Sequence, residues 1–282
     1  MLSNSLVAGK VAIVTGSTQG LGADIARVLS ASGAHVVIVG PDVSAGTALV
    51  QELQGNAGVK AIYCATDIQE DAQIDACVEQ TLAAFGRIDI LVNNACIYTD
   101  NGLDSTRAQW HQTLGVNLVS AAIFAQKVLP YMQKGSAIIN LGSTGGKFGA
   151  VGRALYPASK AAMLQFTKNL AVSIAPQGIR AVAVSPAWTW SPSVEQFSNH
   201  SRPNADKVAA QFHPLGRVGN GAEIGNVVAF LASEAASWIT GVDIPVDGGF
   251  SILGPDQGIS PRAWFERALA GSGAASTEGK AG

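Results

Sequence analysis

Val11-Ala12-Ile13-Val14-Thr15-Gly16-Ser17-Thr18-Gln19-Gly20-Leu21-Gly22 is the stretch that decides the fold. A short β-branched run passes straight into a glycine-rich turn, and helical spacing follows from Leu21. Strand, tight turn and helix in that order begin a βαβ unit. Glycines here let the backbone approach a pyrophosphate, and the free N–H groups at the positive end of the helix bind it. Gly16, Thr18, Gln19, Gly20, Leu21 and Gly22 are therefore the candidate phosphate-binding residues. A βα turn without a ligand calls for the same glycines, so the turn alone leaves both readings open.

From Val11 to about Val246, β-branched runs alternate with longer Ala- and Leu-rich segments of helical period. Strands are expected at Val11 to Thr15, His35 to Val39, Ala61 to Ala65, Ile88 to Val92, Ala137 to Leu141, Arg180 to Ser185 and Val242 to Val246. Helices are expected near 21–32, 43–54, 69–85, 105–133, 156–175 and 221–233. Seven strands with right-handed crossovers predict an α/β fold, a Rossmann-type doubly wound parallel sheet in a single domain, with its ligand crevice beyond the carboxyl ends of the strands. That domain spans 1–253, and 254–282 form a C-terminal extension. Residues 254–270 suit a short helix entered by Ser260 and Pro261, with Trp264 and Phe265 available to pack, whereas Gly271 to Gly282 is small and polar enough to be disordered. Pro186 to Pro214, rich in Trp, Ser and Pro, is a long insertion of the kind that marks a lid or binding loop.

Composition excludes several functions. Only 13% of the residues are charged against 48% hydrophobic, which suits strands buried on both faces. A net charge of −2 with no basic block lacks the electrostatic footprint of nucleic-acid binding. Cys64, Cys77 and Cys96 are odd in number and form no Cys-x-x-Cys pair, so neither a disulfide framework nor a metal site is expected. No apolar stretch approaches the roughly 20 residues of a membrane span. Met1 to Lys10 lack the order of a signal peptide, and a cytoplasmic location is expected.

Chemistry enters with Tyr156-Pro157-Ala158-Ser159-Lys160. On a helix these end residues share a face, so the Lys160 ammonium stands near the Tyr156 phenol and favours its ionised form. An ordinary tyrosine, with a pKa of about 10, is a poor base at neutral pH, and a fixed positive charge corrects this. Ser143 precedes the tyrosine by thirteen residues, after the apolar run Ala137 to Leu141. Taken singly, Ser143 also fits a turn before Gly145-Gly146, and Asn117 a helix position bonding nearby backbone.

Thr15-Gly16-x-x-x-Gly20-x-Gly22, Asn93-Asn94-Ala95, Asn117, Ser143 and Tyr156-x-x-x-Lys160 together resemble, in order and approximate spacing, the short-chain dehydrogenase/reductase family over about residues 8–250. The resemblance implies a dinucleotide-binding and catalytic Rossmann domain that transfers a hydride between NAD(P) and a secondary alcohol or ketone. It implies that Tyr156 is the catalytic acid/base, that Lys160 assists it and bonds the nicotinamide ribose, that Ser143 orients the substrate oxygen and that Asn117 holds a proton-relay water. Further implied contacts to the dinucleotide are Asp67 at the adenine amino group with Ile68 beside it, Asn93 and Ala95 at the end of the fourth strand, and Pro186, Thr189 and Ser191 near the carboxamide. Asp67 and Asn93 also fit strand-end caps or turn formers. The sequence departs from the family pattern at Ala187 and Cys96, each in place of glycine, at Ser191 in place of threonine, and at Val182 in place of asparagine. Homodimers or homotetramers are usual in the similar family, with the helices near 105–133 and 156–175 as interface faces and Trp264-Phe265 covering a neighbouring subunit.

Val39-Gly40-Pro41-Asp42 governs the choice of dinucleotide. In the similar family an acid at Gly40 marks NAD and an arginine at Pro41 marks NADP, and neither is present. Asp42 lies about 20 residues beyond Gly22, within reach of the adenosine ribose, and no Lys or Arg occurs among residues 17–19 or 40–42. NAD is favoured over NADP because an acid without a neighbouring cation repels a phosphate; Asp42 equally fits a cap for the helix at Val43. Trp188, Trp190, Phe197 and Phe212 suit a sugar face or aromatic ring, or ordinary lid packing. His200 and His213 suit polar contacts or solvated positions, and Lys147 suits an acidic group. The leading expectation is oxidation of a secondary alcohol, such as a polyol, sugar or aryl carbinol, by NAD. An NADPH-dependent 3-oxoacyl ketoreductase is the enzymatic alternative, and a catalytically silent dinucleotide-binding regulator the alternative of another class.

Overall fold

Buried on both faces, β1 (Val11–Thr15) sends alternate side chains into two separate cores: Ala12 and Val14 into one, Val11 and Ile13 into the other. In the computed structural model, which describes residues 6–55 and 58–272, this strand is an interior strand, third in a seven-stranded parallel sheet. The other strands are β2 (His35–Gly40) and β4 (Ile90–Asn93), which pair with it, and β3 (Ala61–Ala65), β5 (Ala137–Leu141), β6 (Arg180–Pro186) and β7 (Asp243–Val246). The order β3-β2-β1-β4-β5-β6-β7 reverses between β1 and β4, and a crevice opens beyond the carboxyl ends at such a switch point.

One face is covered by α1 (Gly20–Ala31) and α2 (Val43–Leu53), which bury Ile25, Leu29 and Leu49. The other is covered by α3 (Asp71–Phe85), α5 (Ser120–Val128) and α6 (Leu155–Ile174), with Phe124 and Ile74 fully enclosed, and α4 (Arg107–Leu114) lies against α6. The segment expected as one helix over 105–133 is interrupted by a π-helical turn, Gly115–Val119, between α4 and α5. By length and composition alone the run Arg107–Tyr131 is apolar enough to cross a membrane, contrary to the reading of the sequence. In the fold, Phe124, Ala125 and Val128 of this run belong to the core beneath the sheet.

The insertion after β6 is structured. It contains α7 (Pro192–Phe197) and α8 (Arg202–Ala209), each started by a serine side chain, Ser191 and Ser201, and is followed by α9 (Gly221–Leu231). Strand four begins at Ile90, not Ile88, because the buried Asp89 carboxylate accepts from Val11 N–H (2.9 Å) and from Arg87. In the extension, α10 (Pro261–Ser272) is entered at Ser260 and Pro261 as expected, and Gly271 and Ser272 belong to it. The remaining residues called disordered, 273–282, lie outside the described residues. Trp264 donates to the Asp256 carbonyl, while Phe265 is 69% exposed. All three cysteines are free, and no metal-ligating cluster occurs among the described residues.

Candidate active site

The glycine turn is shaped by what lies against it. Gly16 and Gly20 have φ of +62° and +54°, which side chains rarely adopt. A Cβ at Gly16 would lie 2.7 Å from Ala95 Cα, and one at Gly22 would meet the Gly16 carbonyl and the Asn94 amide. Thr15 Oγ1 accepts from the N–H groups of Asn94 (3.0 Å) and Ala95 (3.1 Å), and Asn94 Nδ2 donates to the carbonyls of Thr15 and Gly16. Ser17, fully buried, joins the ends of β1 and β2 by donating to Val14 and accepting from Val39. Thr18 packs against Gly40. Gln19 precedes α1 without a side-chain cap, so the first N–H groups of the helix are left for an anion, and the cradle fits a pyrophosphate.

At the end of β2, Asp42 accepts from Ala45 N–H (3.0 Å) and starts α2, so its role as a helix cap is realised. It has no salt-bridge partner among the described residues; Arg27 is committed to Glu52 and Asp24. Asp67 is exposed and accepts from Gln69 N–H (3.0 Å). Asn93, by contrast, turns inward: its Nδ2 donates to Asn140 Oδ1 (2.9 Å) and its Oδ1 is buried without a partner.

Tyr156 and Lys160 lie in the first two turns of α6. Lys160 is buried, its Nζ donates to the Leu141 carbonyl (2.7 Å) and stands 5.7 Å from the centroid of the Tyr156 ring. Ser143 Oγ accepts from Gly145 N–H (3.0 Å), and Gly145 lies between Ser143 and the Tyr156 ring. Asn117 occupies the π-helical turn, a feature frequent at functional sites. It binds both backbone groups of Ile97 (2.8 and 3.1 Å) and donates to Ser159 Oγ (3.0 Å). A cavity of about 10 Å³, near the lower limit for one water, brings together Thr15, Ile68, Asn93, Ala95, Asn117 and Lys160.

Pro186 closes β6, Thr189 is buried and Ser191 caps α7. Of the aromatic residues in the insertion, Trp188 meets Phe212 (5.3 Å) and His213 (5.5 Å), and His213 meets Phe250 (5.4 Å). His213 is buried, with Nδ1 against the Ala209 carbonyl and Nε2 unpartnered, whereas His200 is exposed near Glu195. Trp190 packs under Arg202 and with Ala205 and Ala209, away from this group, and Phe197 is 80% exposed. Lys147 is not a free cation for an acidic substrate: Asp243, which also accepts from Ser185, holds it at 2.6 Å.

Asp100 was not singled out by the sequence. The residue before α6 is Ala154, which has no side-chain oxygen to cap it. Asp100 supplies one from the loop after β4, accepting from Ala154 N–H (2.9 and 3.1 Å) and Tyr156 N–H (3.0 Å). Burial alone would raise its carboxyl, but the N–H groups of Ala154, Tyr156, Gly102 and Leu155 outweigh that and hold it below the usual carboxylate range. The only local hint is the Asp100-Asn101-Gly102 turn, which says nothing about α6.

Residues 16–251 match the family model described as enoyl-(acyl carrier protein) reductase. The chain is 37% identical over 244 residues to the 3-oxoacyl-[acyl-carrier-protein] reductase FabG of Aquifex aeolicus, covering 86% of this chain and 97% of that one. It is 36% identical over 263 residues to an L-fucose dehydrogenase of Oryctolagus cuniculus, covering 91% and 90%. Among solved structures, the L-sorbose reductase of Gluconobacter frateurii, complexed with NADPH and L-sorbose, superimposes with a TM-score of 0.82 at 28% identity, covering 88% of this chain and 98% of that one.

Asp100→Ala is expected to cost about 1 kcal/mol through the lost cap, and Asp100→Asn, which keeps an acceptor oxygen, less. Since the folded carboxyl titrates below its ordinary value of 3.8, the contribution is complete above that pH and is lost as the pH falls below it. Thermal melts at pH 7 and pH 3 measure this; identical melting of wild type and Asp100→Ala at pH 7 would refute the cap.

Proposed function

Because the chain belongs to the short-chain dehydrogenase/reductase family, we propose that Tyr156, Lys160, Ser143 and Asn117 are its catalytic residues in reversible hydride transfer. The chain is an NAD(P)-dependent oxidoreductase acting between secondary alcohols and ketones. The observation that carries the assignment is the buried Lys160 Nζ, locked by the Leu141 carbonyl beside the Tyr156 ring. A bound nicotinamide dinucleotide supplies the hydride donor or acceptor. Tyr156 removes the hydroxyl proton as the alcohol is oxidised and returns it in reduction, while the Lys160 ammonium offsets the negative charge of the phenolate. Ser143 Oγ accepts from Gly145 N–H, which leaves its own proton available to the substrate oxygen. The small cavity beside Asn117 and Lys160 suits a water that relays the proton.

Gly16, Thr18, Gln19, Gly20, Leu21 and Gly22 would hold the pyrophosphate at the uncapped start of α1. Asp67, Ile68, Asn93, Ala95, Pro186, Thr189 and Ser191 would follow the rest of the dinucleotide along the strand ends, all within a catalytic unit spanning 1–253. We favour NAD, since Asp42 stands at the end of β2 with no cation paired to it among the described residues. The L-sorbose reductase structure holds NADPH, so the preference rests on Asp42. The substrate we favour is a neutral polyol, sugar or aryl carbinol, because Lys147 is neutralised by Asp243 and the crevice is walled by aromatic rings. A 3-oxoacyl thioester is the second reading, supported by the likeness to FabG. A homodimer or homotetramer is supported by an apolar groove of about 440 Å³ along α5 and α6, lined by Ala122, Ala125, Leu129, Pro130, Phe166 and Leu170. A cytoplasmic location is part of the same reading.

Tyr156→Phe should lower kcat by about 10²-fold or more on a panel of carbinols, polyols and acyl thioesters followed at the nicotinamide absorbance, with dinucleotide affinity retained. Wild-type turnover rates in the variant would sink the assignment. Asp42→Ala should raise the KM for NAD several-fold; an unchanged value removes Asp42 from the site. Sedimentation velocity should return a dimer or tetramer, and a monomer at micromolar concentration would refute self-association.

A further inference from the structure

We propose that Tyr98 is a specificity-determining residue: its ring, stacked on Tyr156, forms one wall of the substrate site and selects neutral carbinols and ketones whose reacting carbon lies in or beside a ring. The proposal rests on Tyr156 being the acid/base.

The two tyrosine rings lie 4.8 Å apart at 28°. Tyr98 is nevertheless 61% exposed, so the loop holds a large aromatic surface against the reacting phenol without covering it. Its neighbours on both sides are tied down. Asn117 binds the N–H and carbonyl of Ile97, Thr113 donates to the Thr99 carbonyl (3.2 Å), and Asp100 binds the start of α6. A ring positioned this way loses little freedom when a ligand packs on it, which is how a rigid wall discriminates between shapes.

Cys96 and Tyr156 are the polar neighbours of the Tyr98 hydroxyl. Loss of water there, followed by the proximity of Cys96 and Tyr156, pushes the Tyr98 phenol well above its ordinary value, so it stays protonated and does not compete as a base. The other walls are aromatic too. Beyond the carboxyl ends of β4, β5, β6 and β7 stand Tyr98, Phe148, Trp188 and Phe250 in turn. Phe148 meets Phe250 edge-on at 5.9 Å, and His213 links Phe250 to Trp188. Each ring favours stacked or edge contacts with another flat face. Lys147 on this side is held by Asp243 and is not free for an anionic group.

The test measures kcat/KM for 1-phenylethanol and cyclohexanol relative to 2-octanol in wild type, Tyr98→Ala, Tyr98→Leu and Tyr98→Phe, with dinucleotide affinity followed by fluorescence as a check on folding. Tyr98→Ala is expected to lower the ring-to-chain ratio about 3- to 10-fold, the worth of one aromatic contact, whereas Tyr98→Phe keeps it. Should the alanine variant fail to bind dinucleotide, Tyr98→Leu carries the same expectation. An unchanged ratio in both, or a ratio lost in Tyr98→Phe, overturns the role of the ring. Wild type inert toward every alcohol and ketone with both nucleotides overturns the proposed function itself, whereas an active wild type with an unchanged ratio overturns Tyr98 alone.

Discussion

The Thr15 hydroxyl donates to the Val92 carbonyl and accepts from Asn94 and Ala95, and the Asn94 amide returns bonds to the carbonyls of Thr15 and Gly16. This junction lies where the strand order reverses, just past the last paired residues of β1 and β4. Strands separate there and no ladder holds their loops together, so side chains must. With the junction in place, the turn that starts α1 and the loop that carries Tyr98 keep a fixed separation. Gly16 packs so closely on Ala95 that any side chain would push the two apart.

The same logic extends outward. From the β4 end, the loop is fastened at Ile97 by Asn117, at Thr99 by Thr113 and at Asp100 to the start of α6. Asn117 reaches Ile97 from a π-helical turn between α4 and α5 and also bonds Ser159 on α6. One amide therefore couples the loop to the helix bearing Tyr156 and Lys160. Each tie replaces a flexible segment with a positioned one, which is what proton transfer and ring stacking both require.

The Gly-rich turn and the Tyr156 to Lys160 spacing were legible because they are local: a tight strand-to-helix turn needs glycine, and a helix brings residues four apart onto one face. Asp100 was not legible, since its partners lie more than fifty residues away and Ala154 only shows that a cap is missing. Lys147 looked like a free cation for the same reason, until the sheet placed Asp243 beside it. In the insertion, the aromatic residues could be counted but not sorted. Trp188 and Phe212 meet each other and Trp188 meets His213, while Trp190 is drawn under Arg202, because α8 brings Arg202, Ala205 and Ala209 onto it.

By itself the sequence determined the sheet, the position of the crevice and the residue types available for hydride and proton transfer, since strand alternation, glycine turns and helical spacing are properties of neighbouring residues. Tertiary structure alone decided which side chains meet. It placed Tyr98 on Tyr156, Asp100 under α6, Asn93 on Asn140 and Lys147 against Asp243, because each of these contacts joins loops or strands that only the doubly wound topology brings to the same edge.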